Sequence, residues 1–104
     1  MLFELSIVPL ARDVSLSDDV AKVLKIIDTS GLPYILTPTA TCIEGEWEEV
    51  MDLIHRCHRR ARERASHDIT TVKIADEAGE QNKLVTNVET AEARAGKPLR
   101  RLPS

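Results

Sequence analysis

The run Tyr34-Ile-Leu-Thr-Pro-Thr-Ala-Thr-Cys-Ile-Glu-Gly-Glu-Trp47 decides how this chain folds. Tyr34–Thr37 and Thr41–Glu44 each read as a short strand, with Pro38 between them. Proline has no N–H to give to a ladder, so it belongs at a turn or an edge. The run is therefore a strand hairpin that leads straight into a helix beginning near Glu46. Thr37, Thr39 and Thr41 alternate with other residues, so an extended backbone aims their hydroxyls to one side. Glu44 follows two positions after Cys42. A small polar surface set in an apolar sheet suits a small-molecule site better than acid–base machinery.

Upstream, Leu2–Val8 is a strand with Phe3, Leu5 and Ile7 on one face and Leu2, Glu4, Ser6 and Val8 on the other. Pro9 is expected to end its ladder, and Leu10–Val14 to form a loop. Ser15 or Ser17 is placed to cap a helix, and Asp18 and Asp19 suit its positive end. Leu16, Val20, Val23, Leu24 and Ile27 keep helical spacing, and Gly31 is a natural stop. Downstream, Glu46 to about Ala65 is the longest helix, with an apolar stripe of Trp47, Val50, Met51, Ile54, Cys57 and Ala61. Asp68–Asp76 forms a fourth strand, with Thr70, Val72 and Ile74 on one face and Ile69, Thr71 and Lys73 on the other. A turn at residues 77–80 leads to a last helix, Gln81–Ala95. Its stripe of Leu84, Val88, Ala91 and Ala95 is thin, so that helix requires a partner surface.

The order β-α-β-β-α-β-α contains the split βαβ arrangement of an α+β, ferredoxin-like sandwich: an antiparallel sheet, two helices on one face and an additional C-terminal helix. Residues 1–97 read as one domain and 98–104 as a tail. Several strands carry apolar side chains on both faces, with Leu2 and Val8 beside Leu5 and Ile7, and Leu36 beside Ile35. An open apolar sheet face of that size marks an interface. The chain is expected to self-associate with sheets packed face to face.

At 104 residues the chain supports one core. A domain of this size buries roughly 60–70% of its unfolded surface. Aromatic residues make up only 3%, so Val, Ile, Leu and Ala must fill the interior. A net charge of -3 and a pI near 5.6 argue against a dedicated nucleic-acid binder. The five arginines in residues 55–64 interleave with Glu63 and lie opposite the apolar stripe, as on a solvated helix face. No signal peptide and no long apolar run is evident, so a cytoplasmic location is expected, with no membrane partner and with Cys42 and Cys57 reduced. His55, Cys57 and His58 have metal-ligand chemistry. Cys57, however, belongs to the buried stripe, the histidines lie among arginines, and only His67 remains as a further histidine. No metal site and no catalytic group is assigned.

The residues resemble a known family, the small thiamine-binding proteins. The resemblance covers about residues 4–95. It rests on Ser6-Ile-Val-Pro-Leu10, Ser15-Leu-Ser17, Gly31-Leu-Pro-Tyr-Ile-Leu-Thr-Pro38, Thr41-Cys-Ile-Glu-Gly45, Trp47-Glu-Glu-Val-Met51 and Thr70-Thr-Val-Lys-Ile74. The Thr-x-Ile-Glu-Gly run is the most specific of these.

The resemblance implies a subunit that forms dimers and then tetramers, and that binds thiamine or its hydroxymethylpyrimidine portion without catalysis or cofactor. An aminopyrimidine offers donor and acceptor edges to hydroxyls and backbone groups, and a thiazolium is favoured by a nearby carboxylate. The expected ligand contacts are Thr37, Thr39, Thr41 and Glu44, with Trp47 walling the pocket. Each has a plainer reading as well: strand preference for the threonines, a helix-start role for Glu44, and a core anchor for Trp47. The alternative function is a structural or regulatory homo-oligomeric module with no specific ligand. The chain departs from the family pattern at Ala11-Arg12, where Gly-Thr is usual, at Ala40, where glycine is usual, and at Ala75-Asp76-Glu77, where Asp-Asp-Arg is common.

Overall fold

A computed structural model describes residues 1–10, 16–79 and 82–101. The chain runs β1 (Leu2–Leu10), α1 (Leu16–Thr29), β2 (Tyr34–Leu36), β3 (Thr41–Glu44), α2 (Trp47–Arg62), β4 (His67–Ala75) and α3 (Lys83–Ala95). The strands form one sheet in the order β2-β3-β1-β4, with every neighbouring pair antiparallel. This is the ferredoxin-like arrangement, extended by α3.

Register decides which side chains meet the helices. Phe3 lies opposite Ile43 on one side and Ile74 on the other, and Leu5 lies opposite Thr41 and Val72. That row faces α1 and α2. Phe3, Ile27, Ile43, Val50, Leu53 and Cys57 are the largest fully buried side chains. Each such aliphatic or aromatic residue contributes about 1.5–3 kcal/mol by leaving water. The buried stripe of α2 is Val50, Leu53, Ile54, Cys57 and Ala61. Leu53 joins the expected set, whereas Trp47, in the first turn, is 45% exposed.

Pro9 does not end β1: it pairs with Asp68, and Leu10 pairs with His67. The ladder phase gives the reason. Met1 N donates to Gly45 O and Gly45 N donates to Met1 O. The odd-numbered residues of β1 therefore turn their N–H and C=O groups toward β3, and the even-numbered ones toward β4. Pro9 is odd, and β3 reaches only as far as Leu5. The missing N–H lies on a side with no strand to bond. Ser17 lies inside α1 and is not its cap. The expected loop at residues 11–14, the Ser15 cap and the helix start at Gln81 lie outside the described residues.

At the end of α1, Ser30 Oγ donates to Ile27 O and accepts from Leu32 N, while Gly31 takes φ +80°. That left-handed residue turns the chain into β2. The sheet face away from α1 and α2 carries Val8 and Ile69 as a direct cross-strand pair, 37% and 49% exposed. α3 starts beside β3, where Lys83 N donates to Glu44 Oε2 at 2.7 Å. No residue of α3 is buried. Among the described residues, no helix is long and apolar enough to cross a membrane.

Candidate functional site

The β1–β3 ladder pairs Leu2–Leu5 with Glu44–Thr41 and then stops. By register the next hydrogen-bonded pair would be Ile7 with Thr39. The chain turns instead. Thr37 N and Thr37 Oγ1 both donate to Ala40 O, at 2.8 and 2.9 Å, and Ala40 N donates to Thr37 Oγ1 at 3.1 Å. Pro38 occupies the first central position of this turn, where its fixed φ is an advantage. The strands part here, and α1 lies across the gap. A cleft of about 300 Å³ results, walled by Leu5, Ile7, Pro9, Val23, Leu24 and Ile27, with Thr37, Thr39 and Thr41 along one side. That is the lower end of the size range for small-molecule pockets.

Two polar side chains in this cleft are buried: Asp19, 6% exposed, and Thr41, 5% exposed. Neither side chain has a hydrogen-bond partner among the described residues. The polar atoms of both open onto the cleft, where a bound molecule can pair with them. The sequence reading took Asp19 only as a partner for the helix dipole. Its spacing held the signal, because Asp19, Val23 and Ile27 sit at i, i+4 and i+8 on the face that α1 buries.

The other expected site residues divide. Thr37 spends its hydroxyl on the turn, and Thr39 lines the cleft from the exposed tip. Glu44 is paired with Leu2, so it lies on the opposite sheet face from Thr41 and holds the first amide of α3. It borders a separate depression with Glu46, Glu49, Asp76 and Glu77. Trp47 packs its ring against Phe3 at 6.3 Å with a 55° tilt and does not line the cleft. The structure brings the three threonines together and sets Glu44 and Trp47 elsewhere. Ala40, where glycine is usual, gives its carbonyl and amide to the turn.

Two further groups carry chemistry. The Asp68 side chain is fully buried, with His58 Nδ1 at 2.9 Å from its Oδ2 and the Thr70 hydroxyl donating to the same oxygen at 2.5 Å. This cluster ties α2 to β4 and leaves Asp68 Oδ1 without a partner among the described residues. Burial pushes the Cys57 thiol up to about 11. Burial and the nearby Glu4 carboxylate raise Cys42. Among the described residues, no three His, Cys, Asp or Glu side chains converge on a metal-sized point.

The profile of the thiamine-binding protein family matches residues 3–92, and the chain belongs to that family. It is 31% identical over 71 residues to a UPF0045 protein of Synechocystis, covering 68% of this chain and 59% of that relative. The chain thus spans less than two thirds of that relative's length. It is 38% identical over 77 residues to a UPF0045 protein of Eremothecium gossypii, covering 73% of this chain and 69% of that one. Among solved structures, a Thermotoga maritima protein named for thiamine biosynthesis or salvage superposes with a TM-score of 0.72 at 25% identity. The match covers 83% of this chain and 95% of that one.

Proposed function

We propose that this chain is a non-catalytic binding protein that holds thiamine, or its hydroxymethylpyrimidine portion, in the cleft between β1, α1 and the β2–β3 turn. The observation that carries this reading is an apolar cleft of about 300 Å³ into which two largely buried polar residues, Asp19 and Thr41, open. Apolar walls suit the faces of a heteroaromatic ring, and the two polar side chains orient it. Family membership and the name of the Thermotoga relative support the same ligand class. No cofactor, nucleic acid or membrane is required, and the reading places the protein in the cytoplasm with both cysteines as thiols. The working form is a homodimer or homotetramer built on the open sheet face.

Titration calorimetry with thiamine and with hydroxymethylpyrimidine tests this. Saturable heat, diminished in Thr41→Val, is expected. An absence of heat at millimolar ligand, with the folded oligomer verified, would leave the second reading. That reading is a structural or regulatory module in which copies bury only the Val8–Ile69 face and α3, and the exposure of both surfaces is what favours it. It has Thr41→Val changing no ligand-induced melting shift.

A further inference from the structure

The cleft contains a third polar feature, which belongs to the backbone. Odd-numbered residues of β1 direct their peptide groups toward β3, because Met1 and Gly45 exchange both hydrogen bonds at the start of that ladder. Ile7 is odd, and β3 has already ended opposite Leu5. No backbone hydrogen bond joins Ile7 to Thr39, and both residues line the cleft. The Ile7 N–H and C=O therefore present one donor and one acceptor, side by side, to whatever occupies the gap. Asp19, 6% exposed, faces the same space from α1.

We propose that this set reads the amidine edge of a 4-aminopyrimidine, the exocyclic amine together with its neighbouring ring nitrogen, and that Asp19 is the specificity-determining residue. The inference rests on the binding function proposed above and names the part of the ligand that the cleft selects. A carboxyl offers an acceptor oxygen in either protonation state, so a donor suits the position facing Asp19. The amine is that donor. The ring nitrogen beside it is an acceptor for the Ile7 N–H, and the Ile7 C=O takes a second proton of the amine. A peptide unit left over from an interrupted ladder matches an amidine because each displays a donor and an acceptor on one line. Leu5, Val23 and Ile27 pack against the ring and keep water from offering substitutes. In such a site a mismatched polar group costs more than a missing methyl, because the protein's own groups are left unpaired.

The test compares 4-amino-5-hydroxymethyl-2-methylpyrimidine with its 4-oxo analogue, which carries an acceptor where the amine was. Calorimetry is run on the wild-type oligomer, on Asp19→Asn, and on Ile7→Pro beside Ile7→Ala. The wild type is expected to prefer the amino compound by about 10-fold or more, the size of one hydrogen bond lost with its partner group left unpaired. Asp19→Asn, whose amide can also donate, should shrink that preference to within about 3-fold. Ile7→Pro removes the N–H without taking a bond from either ladder, as Pro9 does two residues on, and should weaken the amino compound about 10-fold beyond Ile7→Ala. Equal wild-type affinity for the two compounds overturns the proposal, whatever the variants do. So does an undiminished preference in a folded Asp19→Asn protein. A wild type that binds neither compound nor thiamine removes the binding function itself, a different result from binding without discrimination.

Discussion

At the residue scale, two positions have consequences that stability and reactivity measurements can read. Gly45 stands where β3 hands over to α2. A Cβ built there meets Val50 Cγ2 at 2.9 Å, and Val50 is fully buried on a stiff, branched side chain. Gly45→Ala should therefore cost about 1–3 kcal/mol through overpacking, seen as a lower urea midpoint with an unchanged slope. Cys57 is the second position. Its folded-state thiol lies near 11 against an ordinary 9.0, so the unfolded chain loses that proton first as pH rises. Its contribution to stability is whole below pH 9 and falls away as pH climbs through the folded value near 11. A thiol reagent at pH 8 should find Cys57 silent in the native protein and reactive in denaturant. Fast labelling of Cys57 without unfolding would contradict its placement in the core.

At the scale of elements, α3 depends on a side chain from another part of the sheet. Asn82 has φ +59° and supplies no side-chain cap, so Glu44 from β3 takes the Lys83 amide at 2.7 Å. Replacing a cap of this kind costs about 0.5–2 kcal/mol. Because α3 buries no residue, that loss should stay local. Glu44→Ala is expected to speed hydrogen exchange across Lys83–Val88 while the amides of β1 and α2 keep their protection. Uniform loss across the molecule would mean that Glu44 supports the core. Glu44 also shows why a sequence motif can be recognised while the role of its members is missed. Its strand parity fixed which sheet face it occupies, but the helix it meets lies 39 residues further along the chain.

For the molecule as one body, the sheet face away from α1 and α2 leaves apolar side chains in solvent. Val8 and Ile69 are paired across β1 and β4 and stay exposed at 37% and 49%. The self-association proposed above would bury this pair. A Val8→Lys, Ile69→Lys double variant should sediment as a monomer with an unchanged far-ultraviolet spectrum. The wild type should sediment as a dimer or tetramer, and a wild-type monomer at micromolar concentration would end this reading.

Much of the architecture was legible in the residues themselves. Alternation put Phe3, Leu5 and Ile7 on one face, of which Phe3 and Leu5 are buried, helical spacing found Val50, Ile54, Cys57 and Ala61, and Pro38 marked the hairpin turn. These signals are local, because strand parity and helix periodicity are properties of neighbouring residues. The composition of the site depended on long-range packing. Thr37, Thr39 and Thr41 are near in sequence and meet at the cleft. Asp19 joins them from α1, and Glu44 and Trp47, equally near in sequence, are carried off to the other sheet face and to the Phe3 side. Even the Ile7 peptide becomes available only because β3 stops opposite Leu5. Strands, helices and their buried faces follow from short-range repeats and can be read from neighbouring residues. Which polar groups share one cavity was decided by register and by where a ladder ends, and both require the chain to be folded.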